Sequence, residues 1–102
     1  MNKSQTISED QLDLMHLIHK DSEASQRLIA QNIGFSIGKV NYCLKSLVDI
    51  GYVKIHNFNN SSKKINYAYV LTPKGLKEKT AITKQFIKKK KKEYDKLNSY
   101  IT

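Results

Sequence analysis

The sequence has 102 residues, a single cysteine and a formal charge of +9. That length suits one small domain; the lone Cys43 excludes an internal disulfide, and no apolar run approaches the roughly 18–20 residues that a membrane span needs. The opening MNKSQTISED has no apolar segment of the kind a secretory peptide carries, so a cytoplasmic protein is expected.

Charge is unevenly spread. Residues 1–50 hold five basic and six acidic groups, whereas residues 51–102 hold thirteen lysines and three acids. A half this basic suits a polyanion, either nucleic acid or an anionic membrane surface, although lysines also solubilise long helices.

In chain order, Ile7-Ser8-Glu9-Asp10-Gln11-Leu12 predicts a helix start. Ser8 and Gln11 have capping-box spacing, Ile7 and Leu12 are placed as a hydrophobic staple, and Glu9 and Asp10 suit the positive end of the dipole. Leu14, Leu17 and Ile18 give the buried stripe, and the helix is expected to end near Lys20. Asp21–Ala24 is a polar link. Ser25 caps a second helix with Leu28, Ile29 and Ile33 inward, and Gly34 terminates it. Phe35 plugs the turn. Ser36 caps a third helix that runs to about Ile50 and stops at Gly51. Two helices joined by a short glycine-containing turn make a helix-turn-helix pattern.

Beyond Gly51 the period changes. YVKIHNF reads as a strand, the cluster around NNSSKK as a turn, and INYAYVL as a second strand with Ile65, Tyr67, Tyr69 and Leu71 on one face. Thr72-Pro73 is a cap followed by proline at the first helical position. The last helix can reach almost to the C-terminus, with Thr83, Ile87, Lys90, Tyr94, Leu97 and Ile101 at heptad spacing. A helix of about 28 residues, some 40 Å long, overshoots so small a domain. Ile87, Tyr94, Leu97 and Ile101 therefore need a cover, and a second copy of the chain is the simplest one.

The order is that of a winged helix-turn-helix: mainly α with a small β-hairpin (α+β). Residues 1–75 are expected to form the DNA-binding domain and residues 76–102 a dimerisation helix. In the third helix Val40, Cys43, Leu44, Leu47 and Val48 form the inner stripe. The outer face, with Ser36, Ile37, Gly38 and Lys39 at its start and Asn41, Tyr42 and Lys45 beyond, is free to enter a major groove. There asparagine can pair with adenine, lysine can reach guanine or phosphate, and Ile37 can touch a thymine methyl group. A solvated helix face is the plainer alternative. At the hairpin tip Asn60, Ser61, Ser62, Lys63 and Lys64 suit phosphate contacts, although Asn and Ser also form ordinary turns. Ser25, Gln26 and Arg27 open the second helix, where amide groups favour a phosphate.

Enzyme chemistry has little support. His16 and His19 lie one turn apart without a third ligand of recognised spacing. Cys43 falls on the core stripe, and Gly38-Lys39 lacks the earlier glycine of a phosphate loop. No metal, cofactor or catalytic residue is expected. Rival readings are an RNA-binding winged-helix module and a protein-interaction domain with a basic helix.

The stretches SQRLIAQNIGFSIGKVNYCLKSLVDIGYVK, Asn57-Phe58, YAYVLTPKGLKEKT and the F…KKK…EY of the last helix span most of residues 12–101. Together they resemble the MarR-type winged-helix transcriptional regulators, and in particular a short bacterial branch associated with exopolysaccharide (EPS) gene clusters. NYCLK combined with YAYVLTPKG is more specific than the helix-turn-helix alone. The resemblance implies a homodimer on a pseudo-palindromic double-stranded DNA operator, with control of polysaccharide-related genes. Broader MarR proteins carry a longer N-terminal helical region that borders an effector pocket. Only about twenty residues precede the second helix here, so the resemblance gives little support to a small-molecule effector and leaves dimerisation to the last helix. The wing also lacks the arginine common in the wider family.

Overall fold

Short-range hydrogen bonds start every helix in a computed structural model of the chain, which describes residues 7–20, 25–59 and 65–101. The order is α1 (Glu9–Lys20), α2 (Gln26–Ile33), α3 (Ile37–Ile50), β1 (Val53–Asn59), β2 (Ile65–Leu71) and α4 (Pro73–Ser99). Ser8 and Gln11 close the capping box in both directions: the Ser8 amide donates to Gln11 Oε1 at 2.8 Å and the Gln11 amide to Ser8 Oγ at 3.2 Å. Ser25, Ser36 and Thr72 accept from the amides of Leu28, Lys39 and Gly75. Each such cap satisfies an otherwise orphaned N–H, worth about 1 kcal/mol. Gly34 and Gly51 close α2 and α3 at φ 82° and 95°, a left-handed conformation that costs other residues a steric penalty.

The three N-terminal helices share one core. Ile7 and Leu12 are both buried, as a staple requires, and Leu14, Met15 and Ile18 of α1 are sealed completely. In α3, Val40, Cys43, Leu44 and Leu47 are buried, with Val48 packed at the edge. Two expectations need correction. Leu28 does not point inward but is 38% exposed, and the buried pair in α2 is Ile29 and Ala30. Met15, absent from the expected stripe, is fully buried. In α2 the inward row is Gln26, Ile29, Ala30 and Ile33, the i, i+3, i+4, i+7 row of an amphipathic helix, which leaves Leu28 on the flank.

β1 and β2 pair antiparallel from Val53↔Leu71 to Asn59↔Ile65. Neighbouring residues on a strand face opposite ways, yet Ala68 and Tyr69 are both buried. Helices α1 and α4 pack against β2, and Tyr69 also meets Gln26 of α2 and lines a hollow beside α3, so at this point β2 is covered on both faces.

The hairpin returns the chain to the end of α3 through a tight joint. Thr72 Oγ1 donates to the Gly51 carbonyl at 2.6 Å, and the Thr72 amide donates to the Tyr52 carbonyl at 3.0 Å. From here α4 runs unbroken through residues 75 and 76. Its first half belongs to the same core: Ile82 is buried and Phe86 packs against the cluster. Lys90 Nζ reaches Glu9 Oε1 of α1 at 2.9 Å. Past that point the helix leaves the body, and the molecule extends 64 Å along one axis against 30 and 21 Å along the others.

Candidate nucleic-acid interface

Because the inner stripe of α3 is clamped against α1 and α2, its other side is forced outward. Ile37 is half-exposed, Tyr42 is 75% exposed, and Gly38, Asn41 and Lys45 are open to solvent. A Cβ built at Gly38 would meet nothing within 4 Å, so the glycine leaves room there for a close approach. The face carries amide, phenol and amine groups, which can donate to base edges or phosphates. It ends in an acid: Asp49 is exposed one turn beyond Lys45. The basic part of this face is therefore confined to the N-terminal two-thirds of α3.

The flanking candidates divide. Arg27 is exposed on α2. Ser25 and Ser36 spend their hydroxyl oxygens on caps, as described above. Lys39 is turned away from Asn41 and Lys45: its Nζ pairs with Asp10 Oδ2 at 2.8 Å and lies 4.0 Å from the Phe35 ring centroid. Both charges of that pair remain about half exposed, so the pair is worth little energetically, but it holds Lys39 against α1. The expected hairpin-tip residues Asn60, Ser61, Ser62, Lys63 and Lys64 lie outside the described residues.

Gln26 behaves differently from the phosphate-contacting role suggested by its place at a helix start. Its Nε2 donates to Asn41 Oδ1 at 2.9 Å and to the Tyr69 hydroxyl at 3.0 Å. One side chain thus ties α2 to α3 and to β2. Between α3 and the hairpin lies a hollow of about 130 Å³ whose walls include Gln26, Asn41, Lys45, Ile55 and Tyr69. The signal for this arrangement was present in the sequence, since Gln26 opens the row continued by Ile29, Ala30 and Ile33. Counting Leu28 as inward hid it.

On α4 the side chains of Ile87, Tyr94 and Leu97, and that of Ile101 just past its end, are 61–81% exposed. Leu76, seven residues before Thr83 and 46% exposed, extends the same heptad row toward the hairpin. Tyr100 is exposed beside it. The intruding Lys90 is accounted for by Glu9; that hydrogen bond and charge also hold its ammonium group above the usual lysine range.

Burial raises the Cys43 thiol above its ordinary pKa, only partly countered by Lys39. The protonated form is the unreactive one. His16 is held below the usual imidazole range by burial and then by Lys79. No three His, Cys, Asp or Glu side chains gather among the described residues, nor is any helix there long and apolar enough to cross a membrane.

Residues 11–54 match the protein family described as winged helix-turn-helix DNA-binding. No curated protein matches the sequence. Among solved structures, the chain resembles Streptococcus pneumoniae FabT in complex with DNA, with a TM-score of 0.66 and 18% identity over 87% of this chain and 61% of that one. It resembles the Staphylococcus aureus MepR–DNA complex with a TM-score of 0.70 and 17% identity over 88% of this chain and 65% of that one. A MarR/EmrR family transcriptional regulator from Acinetobacter sp. ADP1 matches with a TM-score of 0.65 and 22% identity over 86% of this chain and 60% of that one. The chain therefore spans less than two-thirds of the length of these three relatives. At such identities the likeness establishes a winged helix-turn-helix fold.

Proposed function

We propose that the protein is a sequence-specific double-stranded DNA-binding transcriptional regulator of the MarR type, acting as a homodimer. The observation that carries this reading is the outer face of α3, where Ile37, Gly38, Asn41, Tyr42 and Lys45 are exposed on a helix whose other side is packed into the core. A helix of this width fits a major groove, and these are groups that read base edges. Two of the similar structures, FabT and MepR, are complexes with DNA, which supports the same use of the fold here.

In this reading α3 is the recognition helix, and Arg27 with the amides that open α2 meets a phosphate. The hairpin lysines Lys63 and Lys64 neutralise flanking backbone. Ile87, Tyr94, Leu97 and Ile101 join two copies, so that two α3 helices address the two halves of a pseudo-palindromic operator. The likeness of NYCLK and YAYVLTPKG to the exopolysaccharide-associated branch makes polysaccharide genes the first targets to examine.

Selection of bound sequences from random duplex DNA tests the proposal. The expected result is a two-fold motif with half-sites about one helical turn apart. Binding that single-stranded RNA competes away as well as duplex DNA does, or that shows no sequence preference, would overturn it.

A further inference from the structure

We infer that Gln26 is a positioning residue that sets which end of the Asn41 amide faces the groove, and thereby turns α3 toward guanine rather than adenine. The inference rests on the DNA-binding reading above. A primary amide nitrogen carries two hydrogens, and Gln26 spends both, one on Asn41 Oδ1 at 2.9 Å and one on the Tyr69 hydroxyl at 3.0 Å. No side-chain donor is left at Gln26 for a phosphate. Tyr69 is buried near the base of the hairpin, so Gln26 is held by that fixed hydroxyl as well as by its own place on the inward row of α2.

The consequence lies at Asn41. Asparagine pairs with adenine by accepting from the N6 amino group while donating to N7. Here one of the two lone pairs of Oδ1 is taken by Gln26, whereas both hydrogens of Nδ2 remain for the groove, so the free end of the amide is richer in donors than in acceptors. Guanine offers two adjacent acceptors, O6 and N7, on its major-groove edge, whereas adenine sets a donor beside its acceptor. An amide fixed in this sense favours guanine.

The closing experiment uses the full-length chain and selection from random duplex DNA, with folding of each variant checked by circular dichroism. Wild type is expected to prefer guanine at one position per half-site, and Asn41→Ala to lose the preference there. Gln26→Glu replaces the two donors with a carboxylate that can only accept. It then accepts from Asn41 Nδ2 and from the Tyr69 hydroxyl, which turns Asn41 Oδ1 outward. Preference at that position should move roughly tenfold toward a base that presents a donor, adenine or cytosine. Gln26→Ala releases the amide and should flatten the preference at that position while leaving the preferences elsewhere in the site unchanged. This variant carries the test if Gln26→Glu does not fold. Base preferences unaltered in Gln26→Ala would overturn the assignment, and if affinity then fell equally on all sequences Gln26 would be a phosphate contact instead. Adenine at the Asn41-dependent position of wild type would overturn it while sparing the DNA-binding reading. A wild-type chain that selects no duplex sequence would overturn both.

Discussion

A Cβ added at Gly75, in the first turn of α4, would overlap the main-chain carbonyl of Tyr52, in the link between α3 and β1. There α4 meets that short link backbone to backbone, and Thr72 stitches the same joint by bonding the Gly51 and Tyr52 carbonyls. The angle at which α4 leaves the domain is fixed there, and with it the direction of the exposed heptad row.

Gly75→Ala should therefore destabilise the protein strongly. The obstructing atoms are backbone, which cannot rotate away as a side chain would, so the cost lies at or above the upper end of about 1–3 kcal/mol for overpacking. A fall in Tm of roughly 12–24 °C follows for a domain of this size. Calorimetry at a single protein concentration gives the answer, because self-association would itself shift Tm. An unchanged Tm would mean that the joint has room to spare.

Asn41→Ala, Tyr42→Ala and Lys45→Ala should each weaken operator binding by roughly 1–3 kcal/mol where the residue reads a base. The exposure of Tyr42 and Lys45 predicts stability changes within about 0.5 kcal/mol, whereas Asn41→Ala also removes the acceptor of the Gln26 bond and should cost about 1 kcal/mol. Fluorescence anisotropy on the selected operator, paired with thermal melts, separates the two effects. Full affinity in all three variants would remove α3 from the groove.

Leu97→Asp combined with Ile101→Asp should convert dimers to monomers. Both side chains are more than 60% exposed on the single chain, so burying four new carboxylates across a two-fold seam is prohibitive without partners. The isolated fold should persist, since neither residue touches the core cluster. Sedimentation velocity reads the outcome directly, and a dimer that survives both changes would locate the interface elsewhere.

Acid should weaken the fold through His16. Burial, then Lys79, Lys20 and His19, hold its pKa below the ordinary 6.5, with Asp13 opposing. Over the window between the folded and unfolded values the unfolded chain binds more protons. Stability therefore rises with pH through that window and falls as pH drops below about 6.5. Asp13 acts in the opposite sense nearer pH 4, because burial, Glu9 and Asp10 raise its carboxyl. Urea midpoints at about pH 7.5 and about pH 5.5 should differ more in wild type than in His16→Gln. Equal differences would show that the imidazole is not responsible.

What the sequence determined by itself was the local grammar. The pairs Ser8–Gln11, Ser25–Leu28, Ser36–Lys39 and Thr72–Gly75 are three residues apart, and Gly34 and Gly51 follow directly on the helices they end. Hydrogen bonds and backbone conformations at that range depend on neighbours along the chain, so element order, helix ends and the winged architecture could be read without coordinates. The inner stripe of α3 was legible for the same reason, since Val40, Cys43, Leu44 and Leu47 share a face whatever they pack against. Tertiary structure alone decided the rotation of α2, which buried Ala30 and turned Leu28 out, and the covering of β2 from two sides at Ala68 and Tyr69. It also decided the pairing of Lys39 with Asp10, of Lys90 with Glu9 and of Gln26 with Asn41 and Tyr69. These contacts join residues 15 to 81 positions apart. Their existence depends on how whole helices are aimed, and that aim is set by the packing of the assembled core, not by any one segment.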